Sequence, residues 1–166
     1  MSKAVTLELL GQYLKRRGLD KFEVISQPGR PDGVIVLGLV DESGVAHPLF
    51  IDPKHDKNSL VLHARITEAS PDTTPTNRLT DLLMVLAALN YRIIIGKWAY
   101  DPNDGEVAFR ATMPIDGGRL DYAEFDHLLS AVLESVGGYA TKVTAVVQGS
   151  ANVDEILKEV GMTIGG

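Results

Sequence analysis

Between residues 34 and 67 the chain strings three apolar stretches together with turns too short to hold a helix, and this constrains its fold more than any other feature. Residues 34–40 form a nearly unbroken apolar run, Asp41-Glu42-Ser43-Gly44 turns, and residues 46–51 return. After the loop 52–58, residues 59–67 alternate: Leu60, Leu62, Ala64 and Ile66 share one parity, and Ser59, Val61, His63, Arg65 and Thr67 the other. Such alternation is the mark of a half-buried strand. Parallel neighbours need a crossover of about a dozen residues or more, so these three strands must pair as an antiparallel meander. A short strand over 22–25 precedes them, followed by a Gln27–Gly33 stretch rich in Pro and Gly, which supply fixed and positive φ at turns.

A second hairpin is expected farther on. Residues 92–100 read as a strand, 101–105 as its turn, and 106–113 as the return strand. In the return, Val107, Phe109, Ala111 and Met113 alternate with Glu106, Ala108, Arg110 and Thr112, so one face is buried and one is largely polar.

Helical periodicity fills the rest. Residues 4–17 carry Val5, Leu9, Leu10, Tyr13 and Leu14 on one stripe, with Lys15, Arg16 and Arg17 suiting the carboxyl end before Gly18. Thr74 and Pro75 are suited to the cap and first turn of a helix through Leu79, Leu82, Leu83, Leu86 and Leu89, which Asn90 ends. Met84, Val85, Ala87 and Ala88 widen that stripe, which predicts the central core helix. Asp121 and Glu124 stand at capping-box spacing before the stripe Tyr122, Phe125, Leu128, Leu129, Val132, Leu133 and Val136. Gly137-Gly138 is expected to break or kink this helix, and 139–147 to continue it. Asn152 and Glu155 repeat the capping-box spacing ahead of a short helix over 153–160. Strands grouped in hairpins rather than alternating with helices predict an α+β fold, an antiparallel sheet of meander plus hairpin in the order α-βββ-α-ββ-α. The expectation is one domain over 1–166 with a frayed tail at 161–166.

Chemistry is sparse. No cysteine exists, which excludes thiol catalysis, thiolate metal sites and disulfides. Net charge is −6, which disfavours nucleic acid, because phosphate backbones select basic surfaces. No apolar run approaches a membrane span, and the first residues lack a signal-type segment, so a cytoplasmic protein is expected. His47, His55, His63 and His127 include no pair at i, i+4 spacing. The loop Asp101–Gly105 fails as a calcium loop: its glycine falls at position five, and Thr112 stands where a Glu is needed. Gly96-Lys97 fails as a phosphate loop, because Trp98 replaces the required Ser or Thr and Tyr91 the first glycine. No enzyme, cofactor or metal site is therefore expected. The strand 92–100 is the exception to this silence, since both its faces are apolar. Trp98, Tyr100, Arg92 and Ile94 on its even parity are candidates for a protein-interaction surface. The competing placement has Trp98 covering the core.

The element order resembles the type III secretion chaperone-like fold. Within it, residues 79–147 resemble the YbjN-type family of bacterial sensory transduction regulators. The likeness is carried by Leu79-x-x-Leu82-Leu83, Ile95-Gly96-Lys97-Trp98-Ala99-Tyr100-Asp101, Gly105-Glu106-Val107-Ala108-Phe109, Pro114-Ile115 and Leu120-Asp121-Tyr122-x-x-Phe125. The resemblance implies a helix-flanked antiparallel sheet, no cofactor and association with other proteins, with homodimers among the assemblies. A longer front half and the 139–166 tail depart from the pattern. The function expected is non-enzymatic protein binding, as a chaperone-like or regulatory adaptor. The alternative is a small-molecule or metal-binding protein, enzyme or not, with a pocket between the sheet and the last helix.

Overall fold

A computed structural model describes residues 3–28 and 30–162. The meander forms as the alternation requires. Strands β2 (Phe22–Gln27), β3 (Arg30–Val40), β4 (Ala46–Lys54) and β5 (Ser59–Glu68) pair in chain order, and β7 (Glu106–Pro114) joins β5, with β6 (Lys97–Tyr100) at the far edge. All pairings in this six-stranded sheet are antiparallel. A separate two-stranded ribbon pairs β1 (Lys3–Ala4) with β8 (Arg119–Leu120).

Register converts the period-two pattern into two faces. Phe22, Leu37, Leu49, Ala64, Phe109 and Trp98 stand opposite one another across all six strands, forming a row on the core face. One residue away, Glu23, Val36, Phe50, His63, Arg110 and Lys97 form the matching row on the opposite face. The helices pack against the first face only, so the second is left open.

Helix α1 (Leu7–Arg16) starts at Leu7 because the Thr6 side chain accepts from the Leu9 N–H at 3.1 Å, which fixes the cap later than the apolar stripe suggested. Helix α2 (Thr76–Arg92) runs past Asn90, the residue expected to end it. Helix α3 (Tyr122–Gln148) opens on the expected capping box, with Asp121 and Glu124 each bonding the other's backbone N–H. It then passes through Gly137-Gly138 unbroken, because its own flanking residues Val136, Ala140 and Val143 are locked into the core. Helix α4 (Val153–Glu159) is capped by Asn152.

The central helix is α3. It touches β3, β5, β7, α1 and α2, and Phe125, Leu129, Val132 and Val143 on it are fully buried. This corrects the expectation for α2, which buries Leu82, Val85, Leu86, Ala88 and Leu89 and leaves its other side to solvent. The strand expected over 92–100 is also shorter. Arg92 belongs to α2, Ile93 is extended, the chain bends at Ile94 and Ile95, and pairing begins at Lys97. Of the tail expected to fray, residues 163–166 lie outside the described residues.

Candidate protein-interaction surface

The open side of α2 carries the apolar surface. Residues three and four apart in a helix share a face, so Leu83, Met84, Ala87 and Tyr91 fall within one stripe. All four are exposed, Leu83 by 48% and Tyr91 by 78%, and Ile94 beyond the helix end is 97% exposed. By the same periodicity Arg78 lies on the opposite side of α2 and Asp81 and Arg92 lie away from the stripe, with the Arg92 guanidinium reaching back over the Tyr91 ring at 5.7 Å. An exposed apolar stripe flanked by charge is what partner-binding helices present.

The four residues singled out on 92–100 do not share one surface. Trp98 is 2% exposed and stacks edge-on against Phe109 at 5.5 Å, so it seals the core under the sheet edge. Its exposure to a partner is thereby corrected: strand alternation points it at the helices. Tyr100 is half-buried and donates its hydroxyl to the Ala69 carbonyl at 2.9 Å. Arg92 donates to the carbonyls of Val160 at 3.0 Å and Gly161 at 3.1 Å, tying the end of α4 to α2. Ile94 alone of the four projects fully into solvent, next to Tyr91.

One residue that sequence reasoning treated only as a helix stop organises this region. Asn90 lies on α2 facing β6, where its Nδ2 donates to the Trp98 carbonyl at 2.8 Å and its Oδ1 accepts the Trp98 N–H at 2.7 Å. These are the backbone groups of Trp98 that point away from β7. The carboxamide thus imitates a neighbouring strand and closes this sheet edge, whereas β2 at the other edge has no strand beyond it. Val24 and Ile25 on β2 are 56% and 41% exposed.

Titratable groups form small local clusters. At the β3–β4 turn Asp41 is buried and accepts from the Ser43 N–H at 2.9 Å, the Ser43 hydroxyl at 2.6 Å and the Val45 N–H at 3.1 Å, with His47 Nε2 2.7 Å from its other oxygen. Burial pushes this carboxyl up, but the hydrogen bonds from Ser43, His47 and Val45 outweigh it and hold Asp41 well below the usual carboxylate range. Ser43 and His47 both bind Asp41, and no Ser43–His47 hydrogen bond exists, so the trio is a turn lock and lacks the serine–histidine relay of a hydrolase.

The sign of the pH effect follows from that depression. The unfolded carboxyl titrates near pH 4, so the lock contributes fully above that value and is lost as pH falls from about 4 toward the lower folded value. Urea midpoints measured at pH 6 and pH 3 should fall less in Asp41→Asn than in the unsubstituted chain. An equal fall in both would show that the Asp41 lock does not govern acid stability.

On the open sheet face, Glu106 lies 2.7 Å from His63 Nε2 and pairs also with Arg65. Among the described residues, no group of three or more His, Asp or Glu could hold a metal ion, and no helix is long and apolar enough to cross a membrane. The space between the sheet and α3 is filled by Leu49, Leu62, Phe109, Leu129 and Val132, each 0% exposed. A cleft of about 300 Å³ runs along the solvent side of α3 beside Ile93 and Ile95, lined by His127, Ser130 and Glu134.

Comparison with known proteins adds to this geometry. Residues 6–145 match the YbjN family model, described as "Putative bacterial sensory transduction regulator". No curated protein matches the sequence. Among solved structures, a chain of the ExsC–ExsE complex superposes with a TM-score of 0.50 at 16% identity, covering 84% of this chain and 97% of that one. The crystal structure of YbjN from E. coli gives a TM-score of 0.51 at 14% identity, covering 81% of this chain and 94% of that one. At such identities the likeness concerns the fold, which is α+β and type III secretion chaperone-like.

Proposed function

This chain belongs to the YbjN family, and from that premise we propose that it is a non-enzymatic protein-binding module, a chaperone-like or regulatory adaptor acting in the cytoplasm as a homodimer. The exposed stripe on α2 carries the proposal. Leu83, Met84, Ala87, Tyr91 and Ile94 place aromatic and aliphatic side chains in water next to a well-filled core, a costly arrangement unless a partner covers them. A second copy is the simplest cover, because a stripe on one helix can pack on itself across a two-fold axis. A two-protein complex among the structural neighbours supports the binding half of the reading.

Light scattering on the eluting protein tests it. The unsubstituted chain should have twice the mass of its 17.9 kDa monomer. The double substitution Leu83→Asp with Tyr91→Asp should raise the dimer dissociation constant at least tenfold, about 1.4 kcal/mol or more, with far-ultraviolet circular dichroism unchanged. A monomeric unsubstituted chain, or a double variant that dimerises as before, would refute the α2 interface.

A further inference from the structure

We propose that the open face of the sheet binds an acidic segment of a partner protein, seated on the cross-strand cations Lys97 and Arg110 beside His63. The proposal deepens the protein-binding reading, since it names the surface and chemistry of a second partner, and it is independent of the α2 stripe.

Cross-strand pairing places Lys97 directly opposite Arg110, and Arg110 directly opposite His63. Like charges at such positions, here Lys97 and Arg110, destabilise a sheet. Among the described residues no ion pair relieves these two. Glu106 is already shared between His63 and Arg65, and among the described residues Lys97 and Arg110 have no acidic partner. The acids in line with this row are Glu106, bonded to His63 and Arg65, and Glu23 at its far end on β2, and neither forms an ion pair with Lys97 or Arg110. Frustration that the fold leaves unrelieved is better explained by a ligand than by stability.

The row also states what the ligand looks like. It continues across β4 and β3 as Phe50 and Val36, both half-buried, so an apolar strip adjoins the cations on the same face. Neighbouring strands lie about 4.8 Å apart. Residues three or four apart on a helix lie about 5–6 Å apart. Carboxylates at that spacing on an amphipathic segment would meet successive cations while its apolar residues covered Phe50 and Val36. Nucleic acid fits less well, because a short row on an acidic protein offers few phosphate contacts.

The test is a nuclear magnetic resonance titration of the isotope-labelled chain with three synthetic peptides: Leu/Glu amphipathic, its Leu/Lys counterpart, and a Gly/Glu peptide. A single-stranded DNA oligonucleotide serves as the fourth probe. The Leu/Glu peptide should shift Phe50, His63, Lys97 and Arg110, with affinity falling as salt rises. The double substitution Lys97→Gln with Arg110→Gln should weaken it at least tenfold. The same variant should keep its fold and melt about 1–3 °C higher, since it removes like-charge repulsion. Failure of the Leu/Glu peptide to bind would overturn the proposal, as would equal binding of the Leu/Lys peptide or of the oligonucleotide. A lower melting temperature in the double variant would also overturn it by making the row structural. Shifts confined to Tyr91 and Ile94 would refute the sheet face while leaving the protein-binding reading intact. A Gly/Glu peptide that binds as well as Leu/Glu would remove Phe50 and Val36 from the site.

Discussion

Replacing Gly105 with alanine is expected to destabilise the protein by about 2–5 kcal/mol, measured as a lowered urea midpoint at unchanged slope. Gly105 sits in the β6–β7 turn with φ +81°, where a side chain already costs about 1–2 kcal/mol. Its surroundings add more. A Cβ there would lie 2.6 Å from the Ser70 nitrogen and 2.7 Å from the Ala69 carbonyl carbon. Those atoms are backbone and cannot swing aside. Their position is pinned because the Ala69 N–H donates to the Gly105 carbonyl at 2.8 Å, while the Gly105 N–H donates to Asp101 at 2.8 Å. Gly44→Ala is the control, since Gly44 has φ +83° but nothing within 4 Å of its would-be Cβ. It should lose only the conformational share. Equal losses at the two positions would show that the contact with residues 69–70 is unimportant.

The second large effect is expected at Asn90. Asn90→Ala strands the Trp98 N–H and carbonyl, both part-buried, and should cost about 2–4 kcal/mol at roughly 1–3 kcal/mol per unsatisfied group, with hydration recovering some of it. Loss of the carboxamide also opens the β6 edge, so with rising concentration the variant should associate into larger species than the unsubstituted chain does. Asn90→Asp separates the two halves of the interaction. It keeps an acceptor for the Trp98 N–H but sets a carboxylate against the Trp98 carbonyl, so it should be no better than alanine. An Asp variant as stable as the original would mean that only the N–H bond matters.

Much of the fold was legible because its signals are local. The alternation over residues 59–67, the turn at Asp41–Gly44 and the Asp121–Glu124 capping box each act within a few residues, and each appears where expected. The errors arose where burial depends on distant elements. Leu83, Met84 and Ala87 have the composition of core residues, and periodicity cannot tell a face covered by the same chain from one left for another. The run Ile93-Ile94-Ile95 is β-branched and apolar, yet it bridges a helix end to an edge strand, with positive φ at Gly96 turning the chain into β6. Gly137-Gly138 weakens α3 by propensity, but packing on both sides outweighs it. Trp98 lies on β6, and of the two placements its strand parity allows, the core one holds, against Phe109. The Lys97–Arg110 pair beside His63 was invisible to single-strand inspection, because the three residues are neighbours only once three strands are in register.

The Asn90 lock also bears on the order in which the protein folds. It joins residues only eight positions apart, whereas β5–β7 pairing joins His63 to Arg110, 47 positions apart. Loop closure favours the shorter link, so the α2–β6 clasp should assemble early, before the meander meets the hairpin. A nascent hairpin that carries its own shield spends little time with a sticky flank exposed, which matters most while the chain is still incomplete. An Asn90 substitution should therefore lower the yield of refolded protein by more than its equilibrium cost implies.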